Sequence, residues 1–156
     1  MNTGTGQDDG AYNAAVLDHF LHPRHAGSLA PGPDVIGAAA GSLTEGAKFA
    51  FNATLVHDRL GKLRFQAYGC PHCLAAASWL CEHLQAARIE QLDAWHWRDA
   101  AAALDIPAAK YGRLLILEDA IRALAAVWRA RQASIHAHGQ ENSRPERPQP
   151  ERPRAG

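Results

Sequence analysis

From residue 48 onward the chain alternates: Phe49, Phe51, Ala53 and Leu55 are apolar, while Lys48, Asn52 and Thr54 are polar. A period of two puts the apolar set on one face of a half-buried strand. "HDRLGK" then turns the chain into a second alternating run, Leu63, Phe65 and Ala67, which predicts an antiparallel hairpin. Upstream, "PGPDVIGAAAGSL" is rich in Gly and Pro around one apolar pair, Val35 and Ile36, and reads as a loop leading into a strand. The other segments have helical spacing. "AYNAAVLDHFLHP" carries Ala11, Ala15, Val16, Leu17 and Phe20, follows Asp8 and Asp9, which suit a helix N-terminus, and ends at Pro23. Ala77, Leu80, Cys81 and Leu84 fall on one stripe of a second helix, which makes Cys81 a small buried hydrophobe. "LDAWHWRDAAAALDI" is a shorter helical stretch. Pro107 opens a long one to about Gln132, with Leu114, Leu117, Ile121, Leu124 and Trp128 facing inward. Strands gathered together between helices predict an α+β fold with one sheet face covered.

Composition narrows this picture. With 156 residues, 47% of them hydrophobic, the chain can bury a real core without a disulfide framework. Residues 10–133 form the expected domain. The polar, Gly-rich lead-in 1–9 and the tail 134–156, "SIHAHGQENSRPERPQPERPRAG", have too few apolar residues to fold on their own. Sixteen Lys and Arg balance sixteen Asp and Glu, so no net field draws the chain to nucleic acid or anionic lipid. The N-terminus has neither a basic flank nor an apolar core, and no run approaches a membrane span. We therefore expect a cytoplasmic protein, in which three cysteines serve as thiols, metal ligands or redox groups rather than bridges.

Two of those cysteines stand in "YGCPHC", residues 68–73, between a predicted strand and a predicted helix. A cysteine just before a helix meets unpaired backbone N–H groups and the positive end of the macrodipole, which favour the thiolate that nucleophiles and metal ligands both require. Cys70-Pro71-His72-Cys73 resembles the active-site motif of DsbA-type thiol-disulfide oxidoreductases. The helices that follow differ from the strand and closing hairpin a thioredoxin-like fold would need. Zinc or iron is a second possibility, with Cys70, Cys73, His72 and Glu45 as the candidate ligands, although no second CxxC accompanies them. The plainest alternative packs Cys73 inside and leaves His72 facing water.

Three separated stretches resemble the N-terminal scaffold domain of the IscU/NifU iron-sulfur cluster assembly family. In "YNAAVLDHFLHPRHAG", Tyr12, Val16, Asp18, His19, Phe20, Pro23, Arg24 and Gly27 match the family pattern Y-x-x-x-V-x-D-H-[YF]-x-x-P-R-[NH]-x-G. "FQAYGC" matches F-x-[TA]-[YF]-G-C, and "LEDAIRAL" matches the start of the family's last helix. The resemblance spans residues 12 to about 132. It implies an α+β fold with a small three-stranded antiparallel sheet and helices on one face. It also implies a carrier rather than an enzyme, partnered by a cysteine desulfurase or other assembly proteins.

In that family a cluster is built on three cysteines with help from an aspartate and a histidine. The resemblance implies that Cys70 is the second of the cysteines, whereas Leu43 and Glu45 stand at the first cysteine and the aspartate, and Gly112 and Arg113 at the histidine and the third cysteine. The chaperone-binding segment is reduced to "IPAAK", with Pro107 and Lys110 kept. Three functions follow as expectations. The leading one binds iron or a cluster, or accepts sulfur, at Cys70 and neighbouring groups, with Cys73, His72 and Glu45 replacing lost ligands and Arg113 holding an anion such as a persulfide. The second is a family member acting through protein contacts without a cluster. The third is a dithiol oxidoreductase.

Overall fold

The computed structural model describes the backbone of residues 12–142 and the side chains of residues 12–135. Helix α1 (Ala14–Leu21) precedes three strands, β1 (Val35–Ser42), β2 (Ala47–Val56) and β3 (Arg59–Tyr68). Four helices follow: α2 (Pro71–His83), α3 (Ile89–Ala94), α4 (Trp97–Ala103) and, after a 3-10 turn at Ala108–Lys110, α5 (Tyr111–Asn142). The strands form one antiparallel meander in the order β1-β2-β3, the three-stranded α+β architecture expected. Among the described residues no helix is long and apolar enough to cross a membrane.

Strand alternation does what the pattern requires. Phe49, Phe51 and Ala53 are buried on the same face as Leu63 and Phe65, with Phe51 opposite Phe65 in register. Helix α5 covers β1 and β2 on that face, and α2 covers β3. The inward stripe of α5 is as predicted: Leu114, Leu117, Ile121, Leu124 and Trp128 are all buried. So is that of α2, where Ala77, Leu80, Cys81 and Leu84 join the core.

Several details differ from the sequence-based expectation: "LDAWHWRDAAAALDI" breaks at Trp95 and His96 into α3 and α4, and the long helix begins at Tyr111, after a 3-10 turn, rather than at Pro107. β1 continues through "GAAAGS", which reads as loop because Gly and Ala have weak strand preference. Pairing with β2 overrides that preference, placing Ala38 opposite Phe51 and Ala40 opposite Phe49, and small side chains there let α5 lie close. α1 is capped by Asn13, whose Oδ1 accepts the Val16 N–H at 2.8 Å; Asp8 and Asp9 lie outside the described residues. Within α1, Ala15 and Leu17 face outward while His19 turns inward. Finally, α5 runs ten residues past Gln132, through the boundary placed at 133, because no proline interrupts "SIHAHGQEN". The lead-in 1–9 and the tail beyond Asn142 lie outside the described residues.

The inward turn of His19 explains two motif positions physically. Its Nδ1 lies 2.9 Å from Ser78 Oγ on α2, and that oxygen accepts the Arg24 N–H at 2.8 Å. The hydroxyl proton is free to donate to Nδ1 when that nitrogen is unprotonated. Arg24 bridges Asp18 at 2.7 Å and Glu82 at 3.4 Å, so the Asp-His and Pro-Arg pairs together fasten α1 and its exit to α2. At the other end of the core, Glu118 accepts the Trp97 N–H at 3.0 Å, and Arg122 donates to the carbonyls of Leu92 and Trp95 at 2.7 and 2.8 Å. "LEDAIR" therefore fixes α3 and α4 against α5.

Burial, followed by the positive Arg24, holds the His19 pKa below its ordinary value of 6.5. A depressed histidine is neutral in the fold and takes up a proton more readily when unfolded, so its contribution to stability is intact above pH 6.5 and is lost as pH falls below that value. In urea unfolding from about pH 8 to about pH 5, wild type loses more stability than His19→Gln, which is less stable at the upper pH and less sensitive to acid. Parallel pH profiles would contradict this.

Candidate functional site

Antiparallel pairing ends β3 at Tyr68, and helix α2 begins at Pro71, so only Gly69 and Cys70 join the sheet to the helix. Proline at the first helical position loses no hydrogen bond and fixes the entry angle. Cys70 is thereby the N-cap residue of α2, with extended backbone and a half-buried side chain. Gly69 has φ +152°, and a Cβ there would lie 2.8 Å from Cys73 Sγ and 2.9 Å from Cys73 Cβ. Only glycine allows the strand end to approach the first turn of α2 this closely.

One turn on, Cys73 is buried, 1% exposed, with its Sγ 3.8 Å from Cys70 Sγ. The Cys73 thiol is the hydrogen-bond partner that most favours a Cys70 thiolate; the N–H groups of Cys73 and His72 and the guanidinium of Arg113 add to it against the opposing effect of burial. Together they bring the Cys70 pKa down to about 4 from an ordinary 9.0. No single N–H forms a side-chain cap to the sulfur, so the backbone acts as the field of the helix start. The same bond, with burial, pushes the Cys73 pKa upward, leaving one thiolate and one thiol. Cys81, buried in the core, is pushed upward by burial and is chemically withdrawn.

Arg113 reaches this point from the first turn of α5. A Cβ on Gly46 would lie 3.4 Å from its Nη2, and a Cβ on Gly69 would lie 3.4 Å from the Gly46 carbonyl. The β1–β2 turn, the β3–α2 junction and the start of α5 thus meet around the two sulfurs.

The other sequence candidates lie elsewhere. His72 is 8% exposed, so it does not face water; its ring packs edge-on against Tyr12, with centroids 4.8 Å apart, and its Nδ1 is buried with no hydrogen-bond partner. Glu45 is exposed and accepts from Ser42 Oγ at 3.0 Å within its own turn. Leu43 is 66% exposed, and a Cβ added to Gly112 would meet open space. Among the described residues, no three His, Cys, Asp or Glu side chains gather to hold a metal ion. The arrangement brings together Cys70 and Cys73, and adds Arg113, which had emerged only by alignment with the family pattern. Tyr12 as a partner of His72 left no sign in periodicity or spacing.

Alkylation by iodoacetamide should reveal the difference between the thiols. With Cys70 ionised from about pH 4 upward, its alkylation rate stays nearly level between about pH 6 and pH 8, where an ordinary thiol gains roughly a hundredfold. Cys73 and Cys81 react only on unfolding. A Cys70 rate rising in proportion to hydroxide would contradict the assignment.

Residues 11–135 match the model of the NifU-like N-terminal domain. The chain is 29% identical over 128 residues to the iron-sulfur cluster assembly scaffold protein IscU of Haemophilus influenzae, covering 78% of this chain and 98% of that one. It is 30% identical over 112 residues to the iron-sulfur cluster assembly protein IscU of Plasmodium falciparum, covering 71% of this chain and 69% of the relative. In fold it is similar to the N-terminal part of a nitrogen-fixing NifU-like protein from Brucella abortus, with a TM-score of 0.54 at 17% identity over 72% of this chain and 92% of that one. The match over nearly the whole described chain places it plainly: the protein belongs to the NifU-like N-terminal domain family.

Proposed function

We propose that this protein serves iron-sulfur cluster assembly as a sulfur acceptor and carrier, with Cys70 as the accepting thiolate. The observation that carries the reading is the half-buried Cys70 sulfur at the start of α2, 3.8 Å from the Cys73 sulfur, with the Arg113 guanidinium adding to the stabilisation of its thiolate. The names of its relatives, iron-sulfur cluster assembly proteins, support the process. A persulfide donor, of the kind a cysteine desulfurase presents, would be attacked at its outer sulfur. The donor's sulfur-sulfur bond breaks, the donor leaves as a thiolate, and Cys70 becomes the persulfide. Electrons balance without a redox partner, since the sulfane sulfur is transferred at its own oxidation level. Arg113 offsets the negative charge of the product persulfide as well as that of the starting thiolate.

A cluster does not fit these residues. Soft thiolates stabilise iron-sulfur clusters, usually four of them. Here one thiolate faces a guanidinium, the neighbouring thiol keeps its proton, and the positions that the family pattern gives to other ligands hold an exposed Leu43, a bare Gly112 and the cation Arg113 itself. His72, bound against Tyr12, and Glu45, bound to Ser42, do not replace them. The reading fits the cytoplasm, whose reducing poise keeps Cys70 ready as a thiolate.

Discharge of glutathione persulfide, a low-molecular-weight donor, tests the acceptor step. Wild type discharges it, Cys70→Ser falls to the uncatalysed rate, and Arg113→Gln slows by roughly tenfold, the equivalent of about 1.4 kcal/mol. Equal discharge by wild type and Cys70→Ser would overturn the proposal.

A further inference from the structure

Cys73 stands where no external donor can reach it, yet its sulfur is one short movement from that of Cys70. Buried at 1% exposure, with a separation of 3.8 Å between the two sulfurs, it is poised to act on what Cys70 receives. We propose that Cys73 is a resolving thiol, which releases the sulfur carried by Cys70 as sulfide and leaves a Cys70–Cys73 disulfide. The inference rests on Cys70 being the acceptor.

The order of events follows from burial. Sulfur enters only at Cys70, the half-buried member of the pair. While Cys70 is a thiolate, Cys73 donates its proton to that sulfur and is held protonated. Once Cys70 bears a persulfide, its inner sulfur is neutral and the charge lies on the outer atom. The Cys73 proton then passes to the outer sulfur, and Cys73 Sγ attacks the inner one. The persulfide bond breaks, hydrosulfide leaves, and the new sulfur-sulfur bond joins the two cysteines. One sulfane sulfur is reduced by two electrons to sulfide while two cysteine sulfurs are oxidised to a disulfide, so atoms, charge and electrons balance. Return to the dithiol requires an external dithiol reductant of the thioredoxin class.

Geometry favours closure. Residues three apart on a helix have their Cβ atoms about 5–6 Å apart. Disulfide formation brings the Cβ atoms to about 4 Å and the sulfurs to about 2.05 Å, a movement that side-chain rotation and a small adjustment of the first turn supply. Gly69 keeps the space beside Cys73 clear, since a Cβ there would stand 2.8 Å from its sulfur. Attack within one turn replaces a bimolecular step by an intramolecular one. A purely structural Cys73, which only donates a hydrogen bond to Cys70, would leave the persulfide intact.

The full chain, anaerobic and free of reductant, is treated with one equivalent of inorganic polysulfide, alkylated at intervals and mapped by mass. In wild type the Cys70 peptide passes from an added sulfur atom to a disulfide with Cys73, and sulfide appears in excess over Cys73→Ser by one equivalent. Cys73→Ser, and the smaller Cys73→Ala should serine disturb the core, keep the added sulfur on Cys70 with a half-life more than roughly tenfold longer. Cys81 stays reduced throughout. Equal persistence of the persulfide in wild type and both variants would overturn the resolving role and leave the acceptor standing. Absence of any added sulfur, disulfide or excess sulfide in all three proteins would overturn both.

Discussion

The close packing of an alanine-lined helix against the end of a strand determines where the reactive sulfur stands. Ala75, Ala76 and Ala77 on α2 are fully buried, and their small side chains let the helix axis approach its neighbours more closely than leucines would. Because β3 is held in register by β2, and α2 is held by the core, the two residues between them have almost no freedom. The helix start must fall at Cys70, and the side chain one turn further must be the one pressed against Gly69. The His19–Ser78–Arg24 group fastens the outer side of the same helix. Stability and chemistry thus share one element, and a loosened α2 would lose both.

Electrostatics then divides two chemically identical side chains. The first, at the edge of the fold, is ionised by its neighbour's proton, the helix start and a guanidinium. The second, inside it, keeps its proton because it donates that proton to the first and because burial opposes its charge. A pair so divided suits stepwise sulfur chemistry, in which one atom accepts and the other responds. It suits poorly a metal cluster, which wants several thiolates of equal standing and no cation among them. On the proposed reading Arg113 favours the first use, since a positive group near Cys70 offsets the charge of a sulfur anion and would repel ferrous iron.

Much of this was legible in the residues. Strict alternation in β2 and β3 and the long apolar stripe of α5 gave elements whose buried faces are as predicted, because side chains there are large enough to declare their orientation. β1 was only partly legible, since alanine and glycine carry little preference and the strand exists through its partner. His19 was visible as a motif residue but not as an inward one, because its partner Ser78 is 59 residues away. The nearness of the Cys70 and Cys73 sulfurs was legible from their one-turn spacing. His72 and Glu45 were not separable from them by spacing alone: the ring of His72 is claimed by Tyr12 and the carboxylate of Glu45 by Ser42, contacts that depend on tertiary placement and local turn geometry. The opposition of Arg113 to Cys70 joins residues on α5 and α2 that no local pattern connects.

Anaerobic reconstitution with ferrous iron and sulfide tests the central claim, that this member of the family carries sulfur on a thiolate rather than a cluster on several. Ultraviolet-visible absorption and iron content after desalting are the readouts, on wild type and on Arg113→Cys, which puts a thiol where the family pattern has one. The account predicts no cluster absorption and no stoichiometric iron in wild type, whatever Arg113→Cys gains. A stable cluster on wild type, lost in Cys70→Ala, would contradict it.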